Sequence, residues 1–209
     1  MLIIDNVIFY LERLIVLTDK ICLMIRKITV APIMADIFLI CMIIHRFWVF
    51  GDILRWVYCL IFIGVFPLFA YPMQKYIPKF RDKGRRGQRI LAMIFAVTGY
   101  VLGCLCNLIF SSSVGVWVIF LEYLLSGLIV FIFNKLFKLK ISGHACGIAG
   151  PIALFLYFGL YVQAVIGMLF FVAVYISSLR IKRHTIWQLL GGSAIPIVVI
   201  GLLTILFCQ

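Results

Sequence analysis

Apolar residues occupy this chain in long runs that short polar stretches interrupt. The runs cover roughly residues 28–49, 53–73, 89–110, 113–134, 144–160, 162–179 and 185–207. A helix that crosses a membrane needs about 20 mainly apolar residues, because lipid offers no partner for backbone N–H and C=O groups. The pattern therefore predicts an all-α integral membrane protein, a bundle of about six to seven transmembrane helices.

The first 27 residues have a different pattern. Charged residues are spread among apolar ones from Asp5 to Lys27. A signal peptide would have an uninterrupted apolar centre and a cleavage site of small residues, and this segment has neither. We predict an amphipathic helix over residues 1–27 that lies on the membrane surface. No linker or repeat interrupts the rest, so the chain is predicted to form a single membrane domain over residues 1–209.

The composition agrees with a membrane protein and excludes a soluble one. Hydrophobic residues make up 66% of the chain and charged residues only 12%, whereas about a quarter of the residues in soluble domains are charged. The seven cysteines lie in apolar runs and lack the paired short spacing of a zinc site. They are interpreted as small buried hydrophobic side chains.

The positive charges fall on one side of the predicted bundle. The net charge is +12, and all but two of the nineteen Lys and Arg residues, Arg46 and Arg55, lie on the side that carries the N-terminus. Positive residues near span ends are retained inside the cell, so this side is predicted to be cytoplasmic. A phosphate-binding site would also require cations there, whichever way it faced. The short loops are typical of a multi-pass protein of a bacterial cell membrane.

This charge also indicates the partners. Nucleic acid is not expected, because the chain has no soluble domain in which a reading motif could lie. Membrane lipids and phosphate groups are the predicted partners. The oligomeric state is left open by the sequence.

Three polar stretches lie on the basic side. Residues 75–89 hold the densest charge, residues 140–144 read Lys-Ile-Ser-Gly-His, and residues 177–188 hold a second imidazole among cations. A cationic loop alone indicates contact with lipid headgroups. A helix N-terminus attracts anions through its free N–H groups, and a glycine lets an oxyanion approach the backbone closely. Each stretch alone is a weak signal.

Together the three stretches resemble the motifs of the type 2 phosphatidic acid phosphatase family, Lys-x6-Arg-Pro, Pro-Ser-Gly-His and Ser-Arg-x5-His-x3-Asp. Lys79 and Arg86 bracket six residues, as the first motif does, with Gly87 in place of its Pro. Residues 142–144, Ser-Gly-His, reproduce the second motif, with Ile141 in place of its Pro. The order of the motifs is also the same.

The third motif departs from the family at two positions. Counting from His184 places Ser178 on the family's Arg and Gln188 on its Asp. The His-Thr-x-x-Gln form is similar to the third motif of family members that act on polyprenyl and dolichyl diphosphates. The serine removes a phosphate ligand, and Arg180 or Arg183 is the expected substitute. The resemblance covers residues 75–192, which are predicted to form a phosphatase-like core.

The resemblance implies hydrolysis of a lipid phosphate or diphosphate without a metal or another cofactor. One histidine of the family attacks phosphorus and a second protonates the leaving oxygen. These roles fall here on His184 and His144, with Gln188 orienting His184. Histidine suits both roles, because its ordinary pKa of about 6.5 leaves both forms available near neutral pH. The phosphate-binding residues implied are Lys79, Arg86, Ser142 and Gly143, with Arg180 or Arg183 in place of the missing arginine.

Two alternatives remain open. With Ser178 and Gln188 at motif positions, the same fold would suit a protein that binds phospholipid headgroups or transfers phosphoryl groups to another acceptor. A transporter subunit is the other alternative, because Glu122 lies within a span, where an acid is costly and usually faces a partner or a cavity. His45, beside Arg46, is interpreted as an interfacial anchor.

Overall fold

The computed structural model describes residues 18–207, and within that range the regular structure is helical, with no strand. The helices are α1 (Asp19–Ile28), α2 (Ala31–His45), α3 (Ile53–Tyr76), α4 (Pro78–Arg81), α5 (Gly84–Ile109), α6 (Val114–Lys135), α7 (Gly143–Tyr157), α8 (Tyr161–Arg180) and α9 (Ile186–Phe207). The prediction of an all-α integral membrane protein is confirmed.

Most of the predicted runs become helices of membrane-spanning length. Among the described helices, α3, α5, α6, α8 and α9 are each long and apolar enough to cross a membrane. The pair α1 and α2 passes the same test together, but the two helices meet at a bend of 55°. Pro32 lies at the start of α2 and lacks an N–H, which favours this break.

Helix α7 is shorter and lies at the centre of the bundle. Its 15 residues span about 22 Å, less than the ~30 Å of a bilayer core. It packs against α2, α6, α8 and α9, and most of its residues are buried. Small residues make this close packing possible, since a Cβ on Gly147 would lie 2.3 Å from the Cβ of Ala31. Protein rather than lipid therefore surrounds most of α7.

The two arginines of the less basic side bind the ends of helices. Arg46 Nε donates to the Phe158 carbonyl at 3.0 Å, which joins the end of α2 to the end of α7. Arg55 donates to the Phe110 carbonyl at 3.1 Å, which joins the start of α3 to the end of α5. Cations are favourable at helix C-termini, where carbonyl groups lack helical partners. The three polar stretches emerge at the opposite ends of these helices.

Helix α1 is amphipathic, as predicted, and it packs against α8. Its apolar residues Ile21, Met24 and Ile28 are exposed, whereas Cys22 and Thr29 are buried against the protein. The exposed apolar side suits contact with lipid, because lipid is as apolar as these side chains. The rest of the predicted helix, residues 1–17, and Cys208 lie outside the described residues.

Candidate active site

The third polar stretch forms the turn between α8 and α9. The Arg183 N–H donates to the Ser178 carbonyl at 3.0 Å and turns the chain back. Thr185 and Gln188 then begin α9 with reciprocal hydrogen bonds, each side chain accepting from the other residue's N–H at 3.4 Å. This arrangement is a capping box. The beginning of the helix therefore sets the positions of His184 and Gln188.

Gln188 also holds the imidazole of His184. The two side chains meet at 3.2 Å, between His184 Nδ1 and Gln188 Oε1. An amide oxygen only accepts hydrogen bonds, so Nδ1 is the donor and Nε2 of the neutral ring keeps its lone pair. The contact is the one expected of an orienting residue, and the capping box gives Gln188 a structural role as well.

The surroundings of His184 favour its neutral form. Burial lowers the pKa of His184 from its ordinary value, and the nearby positive charges of Arg26, Lys140 and Arg89 also lower it. The hydrogen bond with Gln188 acts in the opposite direction. The neutral ring has the lone pair that a nucleophile or a base requires.

A main-chain hydrogen bond joins the second polar stretch to the third. The Ser142 N–H donates to the Gln188 carbonyl at 3.0 Å. Ser142 is also the N-cap of α7, and its Oγ accepts from the Ala145 N–H at 3.2 Å. Asn134, at the end of α6, bonds the N–H and the carbonyl of Ile141 at 3.0 and 3.1 Å. Groups of α6, α7 and α9 thus hold Ser142 and the adjacent Ile141 in place.

Gly192 lets α9 approach this junction, and replacing it is expected to separate the two stretches. A Cβ at Gly192 would lie 2.2 Å from the Ser142 carbonyl oxygen, a main-chain atom that cannot rotate away. We expect Gly192→Ala to destabilise the protein by about 1–3 kcal/mol, measured as a lower Tm in detergent. Gly191→Ala is the matched control, since a Cβ there would meet only Ile141 side-chain carbons at 3.8 Å or more. Equal Tm values for the two variants would contradict the prediction.

His144 lies in the first turn of α7 and contacts a residue that precedes α2. His144 Nε2 lies 3.2 Å from Thr29 Oγ1, whose hydroxyl donates to the Ile25 carbonyl at 2.7 Å. Because the Thr29 hydrogen is already donated, its oxygen accepts from His144 Nε2. Nδ1 of the neutral ring is then the nitrogen that exchanges protons. His144 is close enough to Arg26 and His184 to interact electrostatically with both.

Arg26 and Thr29 are the residues that the sequence analysis missed. Arg26 Nη1 donates a hydrogen bond to Ser178 Oγ, so α1 reaches the third polar stretch directly. No motif marks these positions. Their one sequence signal is spacing, since Cys22, Arg26 and Thr29 recur at helical intervals and share one side of α1.

Of the two arginines predicted to replace the arginine of the third motif, Arg180 is paired elsewhere. Arg180 Nε lies 3.6 Å from Asp19 Oδ1, so it fastens the start of α1 to the end of α8. Arg183 contributes its main-chain N–H to the turn at Ser178. The guanidinium that contacts Ser178 belongs to Arg26 instead.

The first polar stretch lies at the same end of the bundle, but its two motif cations are exposed. Within the part of the chain that the structure describes, Lys79 and Arg86 form no hydrogen bond or ion pair with either histidine. Arg89, about one turn beyond Arg86, is the cation of this stretch that acts electrostatically on His184. Gly87 stands where the family has proline, and its N–H donates to the Lys83 carbonyl at 3.2 Å.

An apolar cavity of about 900 Å³ lies among α7, α8 and α9. Its lining includes Ala149, Phe171 and Ile197, with Ser193 as one of few polar groups. Ala149 follows His144 by little more than one turn of α7, about 8 Å along the axis. The lining also includes Trp48, Phe158 and Gly159, so the cavity extends from Ala149 to the less basic end of the bundle.

Glu122 does not line this cavity. It is 1% exposed, and Ser126 Oγ donates to its Oε1 at 3.0 Å. Its Oε2 has no hydrogen-bond partner among the described residues. Glu122 lies against Gly150 of α7, away from the polar end of the bundle.

Comparison of the chain with protein-family models, with curated proteins and with solved structures gives no match. What this cluster of residues does is therefore inferred from its chemistry and geometry.

Proposed function

We propose that the protein is a metal-independent membrane phosphatase that hydrolyses a lipid phosphate or diphosphate through a phosphohistidine intermediate. The observation that carries the proposal is that two held imidazoles lie at one end of the bundle, close enough to interact electrostatically. His184 is oriented by Gln188, His144 is held by Thr29, and the Ser142–Gln188 hydrogen bond joins their segments. Arg26 of α1, Arg89 of α5 and Lys140 of the second polar stretch act electrostatically on His184.

The first step is attack on phosphorus. The lone pair on His184 Nε2 forms a P–N bond while the bond from phosphorus to the leaving oxygen breaks. His144 enters this step protonated on Nδ1 as well as Nε2 and gives the Nδ1 proton to that oxygen, so the lipid alcohol or the lipid monophosphate leaves in a neutral or less charged form. The proton that Gln188 holds on Nδ1 keeps the attacking nitrogen free.

The second step returns both histidines to their starting forms. His144, now neutral, takes a proton from a water molecule as the water attacks phosphorus. The P–N bond breaks, inorganic phosphate leaves, and His184 is again neutral. One histidine thus acts as acid and then as base, which requires a pKa near the working pH. Burial and the charge of Arg26 oppose the protonated form of His144 in the empty site, so the negative charge of the bound phosphoryl group has to favour it.

The charge on the phosphoryl oxygens would be met by groups at the same end of the bundle. Lys140 and Arg89 are close enough to act on His184. Lys79 and Arg86 are exposed nearby and remain available to an anionic ligand. The first N–H groups of α7, at Gly143 and the next residue, precede the N–H that Ser142 caps and can donate to an oxyanion. Ser142 itself acts mainly through positioning, because its hydroxyl is buried and engaged.

The cavity supports a lipid rather than a soluble substrate. Its apolar lining between α7, α8 and α9 suits a hydrocarbon tail that extends from the polar end into the bundle. The volume of about 900 Å³ is in the range of binding sites for hydrophobic small molecules. The basic end of the bundle is proposed to face the cytoplasm of a bacterial cell, because it carries all but two of the Lys and Arg residues between 18 and 207.

The test is release of phosphate by the purified protein in detergent. We expect turnover of farnesyl phosphate and farnesyl diphosphate that persists in the presence of EDTA. Glycerol 3-phosphate, which has the same phosphoryl group but no tail, is expected to react much more slowly. If neither farnesyl compound is hydrolysed under conditions in which the protein stays folded, the phosphatase proposal is wrong, and specific binding without turnover would favour a headgroup-binding protein.

A further inference from the structure

Helix α1 is attached to the polar end of the bundle at three places. Arg180 pairs with Asp19 at its first turn, and Cys22 is fully buried one turn later. Thr29, directly after its last turn, is 2% exposed and contacts His144. These contacts fix the rotation of the helix, so the side that carries Arg26 faces the two histidines.

The guanidinium of Arg26 is held but not neutralised. It donates to Ser178 Oγ, while the Ser178 hydroxyl donates to the Val174 carbonyl at 2.6 Å. Arg26 forms no ion pair with a carboxylate in the described part of the chain. A guanidinium has five N–H donors in a planar fork that matches a phosphate. A half-buried arginine with donors to spare is therefore suited to bind an anion.

The position of Arg26 agrees with a phosphoryl ligand in particular. The guanidinium acts electrostatically on both His144 and His184, so it lies near both. His184 attacks the phosphoryl group and His144 protonates the oxygen that leaves it. The phosphoryl group would therefore have to lie near both histidines and near Arg26. Ser178 is small enough to leave the guanidinium room, and its hydroxyl oxygen accepts one of the donors.

We propose that Arg26 is a ligand of the substrate's phosphoryl group and that α1, which lies outside all three motif-like stretches, completes the site. The inference rests on the phosphatase proposal for the identity of the substrate, but binding can be measured without turnover. Ser178 stands where the third motif has an arginine. Arg180 is paired with Asp19, so Arg26, which contacts Ser178, is the cation that replaces this arginine.

The first experiment measures binding of farnesyl phosphonate, a non-hydrolysable analogue, to the full-length protein in dodecyl maltoside by calorimetry. Arg26→Gln is expected to weaken binding about 10- to 100-fold, the effect of losing a charge-assisted contact. Lys27→Gln is the matched control, because it removes the same charge from the next, exposed residue, and it is expected to bind like the wild type. Equal affinities for Arg26→Gln and Lys27→Gln would overturn the proposal.

The second experiment exchanges the two residues of the Arg26–Ser178 contact, so that the guanidinium comes from α8 instead of α1. Arg26→Ser alone is expected to lower kcat/KM for farnesyl diphosphate by about 10²-fold or more. Adding Ser178→Arg is expected to recover at least tenfold of that loss, because the cation returns to the same space from α8. The double variant also covers the case in which Arg26→Gln fails to fold, and no recovery by a folded double variant would count against the proposal.

The two proposals fail in different ways. If the wild type binds the phosphonate through Arg26 but hydrolyses nothing, the phosphatase proposal is wrong and the role of Arg26 as a ligand stands. If the wild type hydrolyses farnesyl diphosphate and Arg26→Gln does so equally well, only the role of Arg26 is wrong. If the wild type does not bind the phosphonate, the anion site itself is disproved.

Discussion

Replacing His184 with asparagine is expected to abolish turnover, lowering kcat for farnesyl diphosphate by roughly 10⁴-fold or more. The attacking lone pair on Nε2 is lost, and no second imidazole holds the same position against Gln188. Initial rates of phosphate release measure the effect. Wild-type protein quenched during turnover of ³²P-labelled substrate should also carry acid-labile label that His184→Asn lacks.

His45→Asn is the control for this substitution. His45 is exposed at the end of α2, on the opposite side of the bundle from the polar stretches. The control variant is expected to keep wild-type kcat. Wild-type turnover by His184→Asn would show that another group attacks phosphorus.

The pH dependence of the wild type is a second readout of the same role. Burial and three neighbouring cations lower the pKa of His184, so its neutral form persists below the ordinary histidine value of about 6.5. As the pH falls through this lowered pKa, His184 becomes protonated and the reaction stops. The decrease of kcat/KM on the acidic side is therefore expected below pH 6.5. A decrease that begins well above pH 6.5 would count against His184 as the nucleophile.

Replacing His144 with asparagine is expected to lower kcat by about 10²- to 10⁴-fold for farnesyl phosphate. The leaving group of this substrate is an alkoxide, which needs a proton as the P–O bond breaks. Asparagine cannot supply that proton, and its shorter side chain also loses the contact that His144 Nε2 makes with Thr29. Rates of phosphate release with and without the substitution measure the loss.

A substrate with an acidic leaving group separates this role from a structural one. The phenolate of p-nitrophenyl phosphate leaves without protonation, so His144→Asn is expected to retain most of the wild-type rate for phosphorylation of the enzyme by this substrate. Single-turnover release of nitrophenolate is the appropriate measurement, because the later attack by water still uses His144. Equal losses for both substrates would mean that His144 only supports the structure.

The helices were predictable because their signals are local. Apolar runs of about 20 residues allow few structures other than a membrane helix, and the predicted segments reappear as helices. Helix α7 is the informative case, because its run ends early as a helix of 15 residues. Its glycines and alanines let protein enclose it, so it does not need the length of a lipid-facing span.

The candidate site was only partly predictable. The spacing His-Thr-x-x-Gln placed Gln188 one helical turn from His184, and the contact at 3.2 Å follows from that spacing. The Ser142–Gln188 hydrogen bond depends on the packing of α7 against α9. The order of the motifs along the chain is compatible with this packing but does not require it. The amphipathic pattern of α1 indicated a membrane surface, and it carried no information about which side would meet α8.

The sequence by itself determined that this chain forms membrane helices with a basic end, because run length and charge are properties of short segments. It also determined the spacing that brings Gln188 against His184. Only the tertiary structure decided which cation meets Ser178. Arg26 and Ser178 are separated by 152 residues, and their contact depends on the rotation of α1 that buries Cys22 against the protein. A contact of this kind depends on how whole helices pack, which no local pattern encodes.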